Sequence, residues 1–188
     1  MTEYDFNADL QFSLGERLSV DVALLKNVIP NCVSVEKTPE KLDRSGIDYI
    51  ATLDGGALVY IDAKTRRKGA KRTWTNGIPR LALELWSRRP EKFEGQIVTP
   101  GKPGWTVSRS TQCDMILYTF DKSDTDLFYL IPYQHLRMAF QKHFQEWKSI
   151  YPCKIQKNKG YESEAMFVPA PIVLSAVIDE MSYIRREA

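Results

Sequence analysis

Histidine and cysteine are scarce in this chain of 188 residues, with two copies of the first and three of the second. Cys32, Cys113 and Cys153 are widely spaced and form no C-X-X-C pair, so neither a zinc site nor a disulfide framework is expected. Reduced thiols fit a cytoplasmic protein of a bacterial, archaeal or phage-infected cell. His135 and His143 lie on one helical segment among polar neighbours, which suits a helix surface better than catalysis. No apolar run approaches the roughly 20 residues of a membrane-spanning helix, so no membrane partner is expected. A glycine-rich phosphate loop ending in Lys-Ser/Thr is missing, which argues against a nucleotide cofactor. The acidic, polar opening Met1-Thr2-Glu3-Tyr4-Asp5 lacks the pattern of a signal peptide. Ser/Gly-rich linkers and internal repeats are also lacking. With 43% hydrophobic residues the chain has enough apolar surface for a sizeable core, and one domain over 1–188 is expected.

What is present reads as α/β, a mixed central β-sheet flanked by helices. Periodicity and turn signals predict a helix over about 12–28 and strands over about 32–37, 46–53, 57–66, 80–86, 112–120 and 126–131. Helices follow over about 133–150 and 171–185. In the long helix Leu136, Phe140, Phe144, Trp147 and Tyr151 form an apolar stripe that suits a core face, with a dimer interface as the other reading. The segment Pro100-Gly101-Lys102-Pro103-Gly104 is expected to break regular structure as a loop ahead of Trp105.

Residues 46–66 carry the chemistry. Asp54-Gly55-Gly56 is a turn signal between two runs rich in β-branched and aromatic residues, which predicts a hairpin. Side chains alternate along a strand, so Ile47, Tyr49, Ala51 and Leu53 share one face, and Ala57, Val59, Ile61 and Ala63 share another. Both apolar sets face one core only if Ala51 pairs with Val59 and Tyr49 with Ile61. Continued to the end of the hairpin, that register sets Asp48 opposite Asp62, with Lys64 on the same face. Two carboxylates at the ~5 Å of a cross-strand pair repel unless a cation lies between them, which predicts a divalent metal site. A solvated polar face on which Lys64 neutralises Asp62 is the plainer reading of the same residues.

Three further features bear on the choice. Glu16 lies near the start of a helix whose stripe of Leu14, Leu18, Val22, Leu25 and Ile29 packs it on the sheet, an arrangement able to carry Glu16 toward the metal. Glu16 also suits a helix N-terminus on charge alone. The net charge of +2 says little, but residues 63–89 hold Lys64, Arg66, Arg67, Lys68, Lys71, Arg72, Arg80, Arg88 and Arg89 against the single acid Glu84. Such a segment can follow a phosphate backbone, with Trp74 stacking on an exposed base, although charge runs are often only a solvated loop. Glu84 lies in an apolar strand and needs a partner, either the metal site or, the preferred reading, a nearby arginine.

At these residues the chain resembles the PD-(D/E)XK nuclease superfamily, most closely the archaeal-type Holliday junction resolvases and related phage nucleases. Glu16 matches the helix acid, Asp48 the strand aspartate, and Asp62-Ala63-Lys64 the final Glu/Asp-X-Lys. Ile47 replaces the proline that names the superfamily, and Asp62 the commoner glutamate. The resemblance spans about residues 13–66 and implies a restriction-endonuclease-like core. It implies Mg²⁺ or Mn²⁺ held by Asp48, Asp62, the Ala63 carbonyl and Glu16, with Lys64 acting on the attacking water. It further implies endonucleolytic cleavage of branched DNA and a homodimer, and the basic segment then supplies DNA contacts from Arg66, Arg67, Lys68, Lys71, Arg72 and Trp74 on its charge. A restriction or repair endonuclease on linear duplex is the nearest alternative, and a catalytically inactive DNA- or protein-binding module is the alternative from another class.

Overall fold

At the turn Asp54-Gly55-Gly56 the Leu53 amide donates to the Ala57 carbonyl over 2.8 Å and the Gly56 amide to the Leu53 carbonyl over 2.9 Å. From this turn β2 (Tyr49–Leu53) and β3 (Leu58–Arg66) pair antiparallel, Tyr49 opposite Ile61 and Ala51 opposite Val59. This is the register that turns both apolar sets to one side, and Tyr49, Ala51 and Ile61 are buried. The computed structural model describes residues 16–39, 45–66, 74–120 and 127–187, and the side chains of these except 16–21, 92 and 183–187. The chain divides into two compact units, residues 1–63 with 111–115 and residues 64–110 with 116–188.

In the first unit, α1 (Glu16–Val28) packs beside β1 (Cys32–Lys37), which pairs antiparallel with β2 and sets Val35 opposite Ala51. Leu25 and Ile29, from the stripe read in the sequence, are buried. The expected helical residues before Glu16 lie outside the described residues. Segment 111–115 is fastened to β3: the Tyr60 amide donates to the Asp114 carboxylate and the Asp114 amide to the Tyr60 carbonyl, each over 2.8 Å.

The second unit is built on β12 (Tyr161–Pro169), which lies between β11 (Lys154–Asn158) and β5 (Ile78–Arg88) with all pairings antiparallel. Leu81 opposite Val168 and Leu83 opposite Met166 form a fully buried face. Helix α3 (Ala170–Glu187) packs against β5 and β12, and α2 (Tyr133–Ile150) packs against α3. Leu136, Phe140 and Trp147 of the α2 stripe are buried, so the stripe is core. Lys142 on α2 and Glu180 on α3 join these helices through a 2.7 Å ion pair. Strand β4 (Trp74–Thr75) pairs with one end of β5 and β8 (Lys102–Pro103) with the other, while β6 (Glu91–Phe93) and β7 (Gln96–Thr99) form a separate hairpin. The last residues of β3 continue beside β9 (Met115–Phe120) and β10 (Phe128–Pro132). Tyr60 meets Asp114 in the first unit and Thr65 meets Thr119 in the second, both at a separation of 54, so β3 and β9 run parallel. The fold is therefore α/β with a mixed sheet, and three helices occur among the described residues. None of these is long and apolar enough to cross a membrane, and no disulfide joins the three cysteines.

Two expectations change. The hairpin of β11 and β12 replaces the unassigned stretch between the last two helices. The Pro100–Gly104 segment is not a plain loop: Pro103 pairs with Trp86 and Lys102 with Arg88, and the Gly104 amide donates to the Leu85 carbonyl over 2.9 Å. At Gly104 the backbones approach so closely that a Cβ would overlap the Glu84 carbonyl group. Gly104→Ala should therefore destabilise this unit by on the order of 3 kcal/mol, the upper range for overpacking. Gly160→Ala, with left-handed backbone but nothing within 4 Å of the new methyl, should cost about 1 kcal/mol. Urea unfolding followed by tryptophan fluorescence reads this unit, because Trp74, Trp86, Trp105 and Trp147 all belong to it.

Candidate active site

Strand β2 begins at Tyr49 because the backbone turns just before it. Gly46 has a φ of +75°, a conformation that side-chain-bearing residues avoid. The Thr38 hydroxyl donates to the Ile47 carbonyl, and the Thr38 amide donates to the Asp48 carbonyl over 2.9 Å. Asp48 therefore enters the hairpin off the straight ladder. Its amide donates to the Ile61 carbonyl over 2.8 Å, one residue short of Asp62. Its carboxylate Oδ2 accepts the Ala63 amide over 2.6 Å, so a side chain takes the place of the next backbone acceptor. The direct opposition of Asp48 and Asp62 expected from an unbroken ladder gives way to this one-residue offset, which keeps the Asp48 carboxylate on the backbone of Asp62's neighbour.

Asp62 is 2% exposed. A Cβ added at Gly46 would stand 3.8 Å from its Oδ2 and 3.1 Å from Thr111 Cγ2, so the glycine leaves space beside the carboxylate. Burial raises the cost of a carboxylate charge, which nearby positive charge or hydrogen bonds offset. Asp48 is thus tied to Ala63, the neighbour of Asp62, within the first unit, and carboxylate and carbonyl oxygens are donors of the kind hard divalent cations take. Among the described residues no group of three or more His, Cys, Asp or Glu is placed to hold a metal ion. Mg²⁺ commonly uses only one or two carboxylates and fills its remaining positions with water and substrate phosphate, so the donors present suit it. Glu16 is the first residue of α1, and its side chain lies outside the described residues.

Within the second unit, Lys64 and Arg66 on β3 both act on the hydroxyl of Tyr118, which is fully buried on β9. Burial pushes this phenol from 10.0 to about 12, against the opposing pull of the Arg66 charge, the hydrogen bond from Ala82 and the Lys64 charge; the Glu84 charge adds to the rise. The Ala82 amide donates to the Tyr118 oxygen over 2.8 Å, and the Arg66 guanidinium lies 5.0 Å over the Phe167 ring. The sequence signal for Tyr118 is weak: it is one of two hydroxyls, with Thr119, in the otherwise apolar run Met115–Phe120. Glu84 accepts from the Ser87 hydroxyl over 2.7 Å and from the Trp105 amide over 3.4 Å, and among the described residues no arginine pairs with it. Arg89 is instead engaged by Glu162 and Glu164. Trp74 packs its ring edge to face with Phe120 at 5.7 Å. Arg67, Lys68, Lys71 and Arg72 lie outside the described residues.

Two measurements probe this chemistry. Asp48→Ala removes a charge-assisted acceptor worth about 1.5–3 kcal/mol, so hydrogen exchange at the Ala63 amide should accelerate, whereas Asp48→Asn, which keeps an oxygen acceptor, should largely preserve protection. The raised Tyr118 value means that the unfolded chain releases this proton before the folded one does. Its contribution is intact below pH 10 and is lost as the pH rises to about 12. Urea unfolding at stepped alkaline pH should show a decline steeper by roughly 1.4 kcal/mol per pH unit in wild type than in Tyr118→Phe. No protein-family model, curated protein or solved structure matches this chain.

Proposed function

We propose that the chain is a divalent-metal-dependent deoxyribonuclease of the PD-(D/E)XK type, with a restriction-endonuclease-like core. The observation that carries this reading is the 2.6 Å bond from the Ala63 amide to Asp48, which ties one candidate acid to the strand that bears Asp62-Ala63-Lys64. Asp48 and Asp62, with the Ala63 carbonyl, would hold Mg²⁺ or Mn²⁺, and Glu16 is the candidate for a further ligand. With the ion bound, Lewis-acid polarisation of water and of the scissile phosphate becomes available.

The remaining work belongs to the protein. The Ala63 amide orients the Asp48 carboxylate through its Oδ2. Lys64 follows Asp62 by two residues on β3, and alternation along a strand puts both on one face. Its ammonium is suited to orienting the attacking water and offsetting charge on the phosphate. Arg66 extends the positive charge along the strand, and the segment after it adds Arg67, Lys68, Lys71 and Arg72 as phosphate contacts. Branched DNA is the substrate class this reading names first, with a homodimer supplying two sites for paired cuts.

Labelled four-way junction, flap, linear duplex and single-stranded DNA, incubated with Mg²⁺, Mn²⁺ or EDTA, provide the test. Cleavage should require the metal and fall by about 100-fold or more in Lys64→Ala, while DNA binding changes little, as expected for a group acting in the transition state. Calorimetry should detect Mg²⁺ or Mn²⁺ binding that disappears in Asp62→Ala. Absence of cleavage on every substrate together with absence of metal binding would falsify this assignment.

A further inference from the structure

Arg88 on β5 stands directly opposite Lys102 on β8, and both are exposed. Like charges facing each other across a ladder are destabilising. The nearby acids are committed elsewhere: Glu162 and Glu164 hold Arg89 at 2.9 and 3.1 Å, and Glu91 accepts from the Thr99 hydroxyl at 2.8 Å. Between these two cations in the chain rises the β6–β7 ribbon, turned by Glu94 and Gly95 at φ +49° and +82°. Its base is closely packed, because a Cβ at Gly101 would come within 2.7 Å of the Trp86 ring and 2.8 Å of Pro90. The ribbon is therefore a projection with a fixed root. It exposes Phe93, Ile97 and Val98 at 67, 61 and 60%. Phe93 pairs with Gln96 and Ile97 with Lys92, which places Phe93 and Ile97 on opposite faces. The ribbon thus exposes a large apolar side chain on each of its two faces.

We propose that this ribbon and the cation pair at its base contact DNA, with Arg88 and Lys102 holding backbone phosphate and Phe93 and Ile97 lying against bases. The inference rests on the nuclease reading and deepens it, naming a DNA-contacting element outside the basic segment that follows β3. A two-stranded ribbon fits a major groove, where apolar side chains meet thymine methyl groups at base edges while cations at the ribbon's base meet backbone phosphates. Glu91 and Glu94 keep the hairpin itself from being cationic, so phosphate contact is assigned to the base and apolar contact to the ribbon. A second copy of the chain fits less well, because a two-fold contact through the ribbon would bring two Arg88–Lys102 pairs toward each other.

The test is binding of fluorescent duplex and four-way junction DNA by the full chain in EDTA, over a series of KCl concentrations. Arg88→Ala/Lys102→Ala should lower the slope of log affinity against log salt by ~1.8, the value for two lost duplex phosphate contacts. Phe93→Ser/Ile97→Ser should weaken binding on the order of tenfold with the slope unchanged. Wild-type binding by both variants overturns the proposal. So does a change confined to self-association in sedimentation velocity, or one confined to vesicles of anionic phospholipid, with DNA affinity intact. Because the assay excludes metal, loss of the nuclease reading in the cleavage test and loss of this contact are separately visible.

Discussion

The hydrogen bond from the Ala63 amide to the Asp48 carboxylate organises the candidate site. A backbone amide at the end of a ladder needs an acceptor, and here the acceptor is a charged side chain. Meeting that need fixes the rotation of Asp48 and ties the strand bearing Asp62 to the turn at Gly46. The two acids are thereby constrained by backbone chemistry rather than by side-chain packing alone. The same bond explains why the hairpin does not continue in simple register: once a carboxylate replaces the next carbonyl, the preceding residues are released to turn toward Thr38.

The second unit places charge under a different constraint. Tyr118 carries a hydroxyl into a fully buried position, where its oxygen receives the Ala82 amide and feels Lys64 and Arg66. Burial outweighs the two cations, so the phenol stays neutral across the ordinary pH range. Lys64 and Arg66 thus border a neutral hydroxyl and not a phenolate. Arg66 also lies over Phe167, a placement that leaves the guanidinium edge available for hydrogen bonding.

The β2–β3 hairpin was legible because its turn is local and its two apolar sets admit only one register. The helix over 133–150 was legible to its ends because Leu136, Phe140 and Trp147 recur on one face and are buried together. Strand β12 is hard to read from the sequence for a physical reason. Glu162 and Glu164 occupy alternate positions that continue into Met166 and Val168, and a register shift after Glu164 changes how the strand pairs, so no single alternation runs its length. The turn at Asn158-Lys159-Gly160 was the usable cue. For the site, residue types and approximate adjacency could be read from the chain. The one-residue offset at Asp48 could not, because it depends on the Gly46 backbone and on Thr38, neither of which carries a periodic signal. The partner of Glu84 was similarly hidden: Ser87 is close in sequence, whereas the more conspicuous Arg89 is drawn to β12.

The clasp between Tyr60 and Asp114 bears on the order in which this protein assembles. Turn, β2 and the start of β3 require only neighbouring residues, so their pairing can begin as soon as that stretch leaves the ribosome. Asp114 is 54 residues further on, and its two bonds to Tyr60 close a loop of that length. Local pairings form faster than distant ones, since loop-closure entropy precedes the reward of contact. The acids of the candidate site accordingly meet early on a strand whose outer edge stays open during synthesis of the intervening segment. Completion of that edge waits for a residue far downstream, which makes the final locking of β3 a late event in folding.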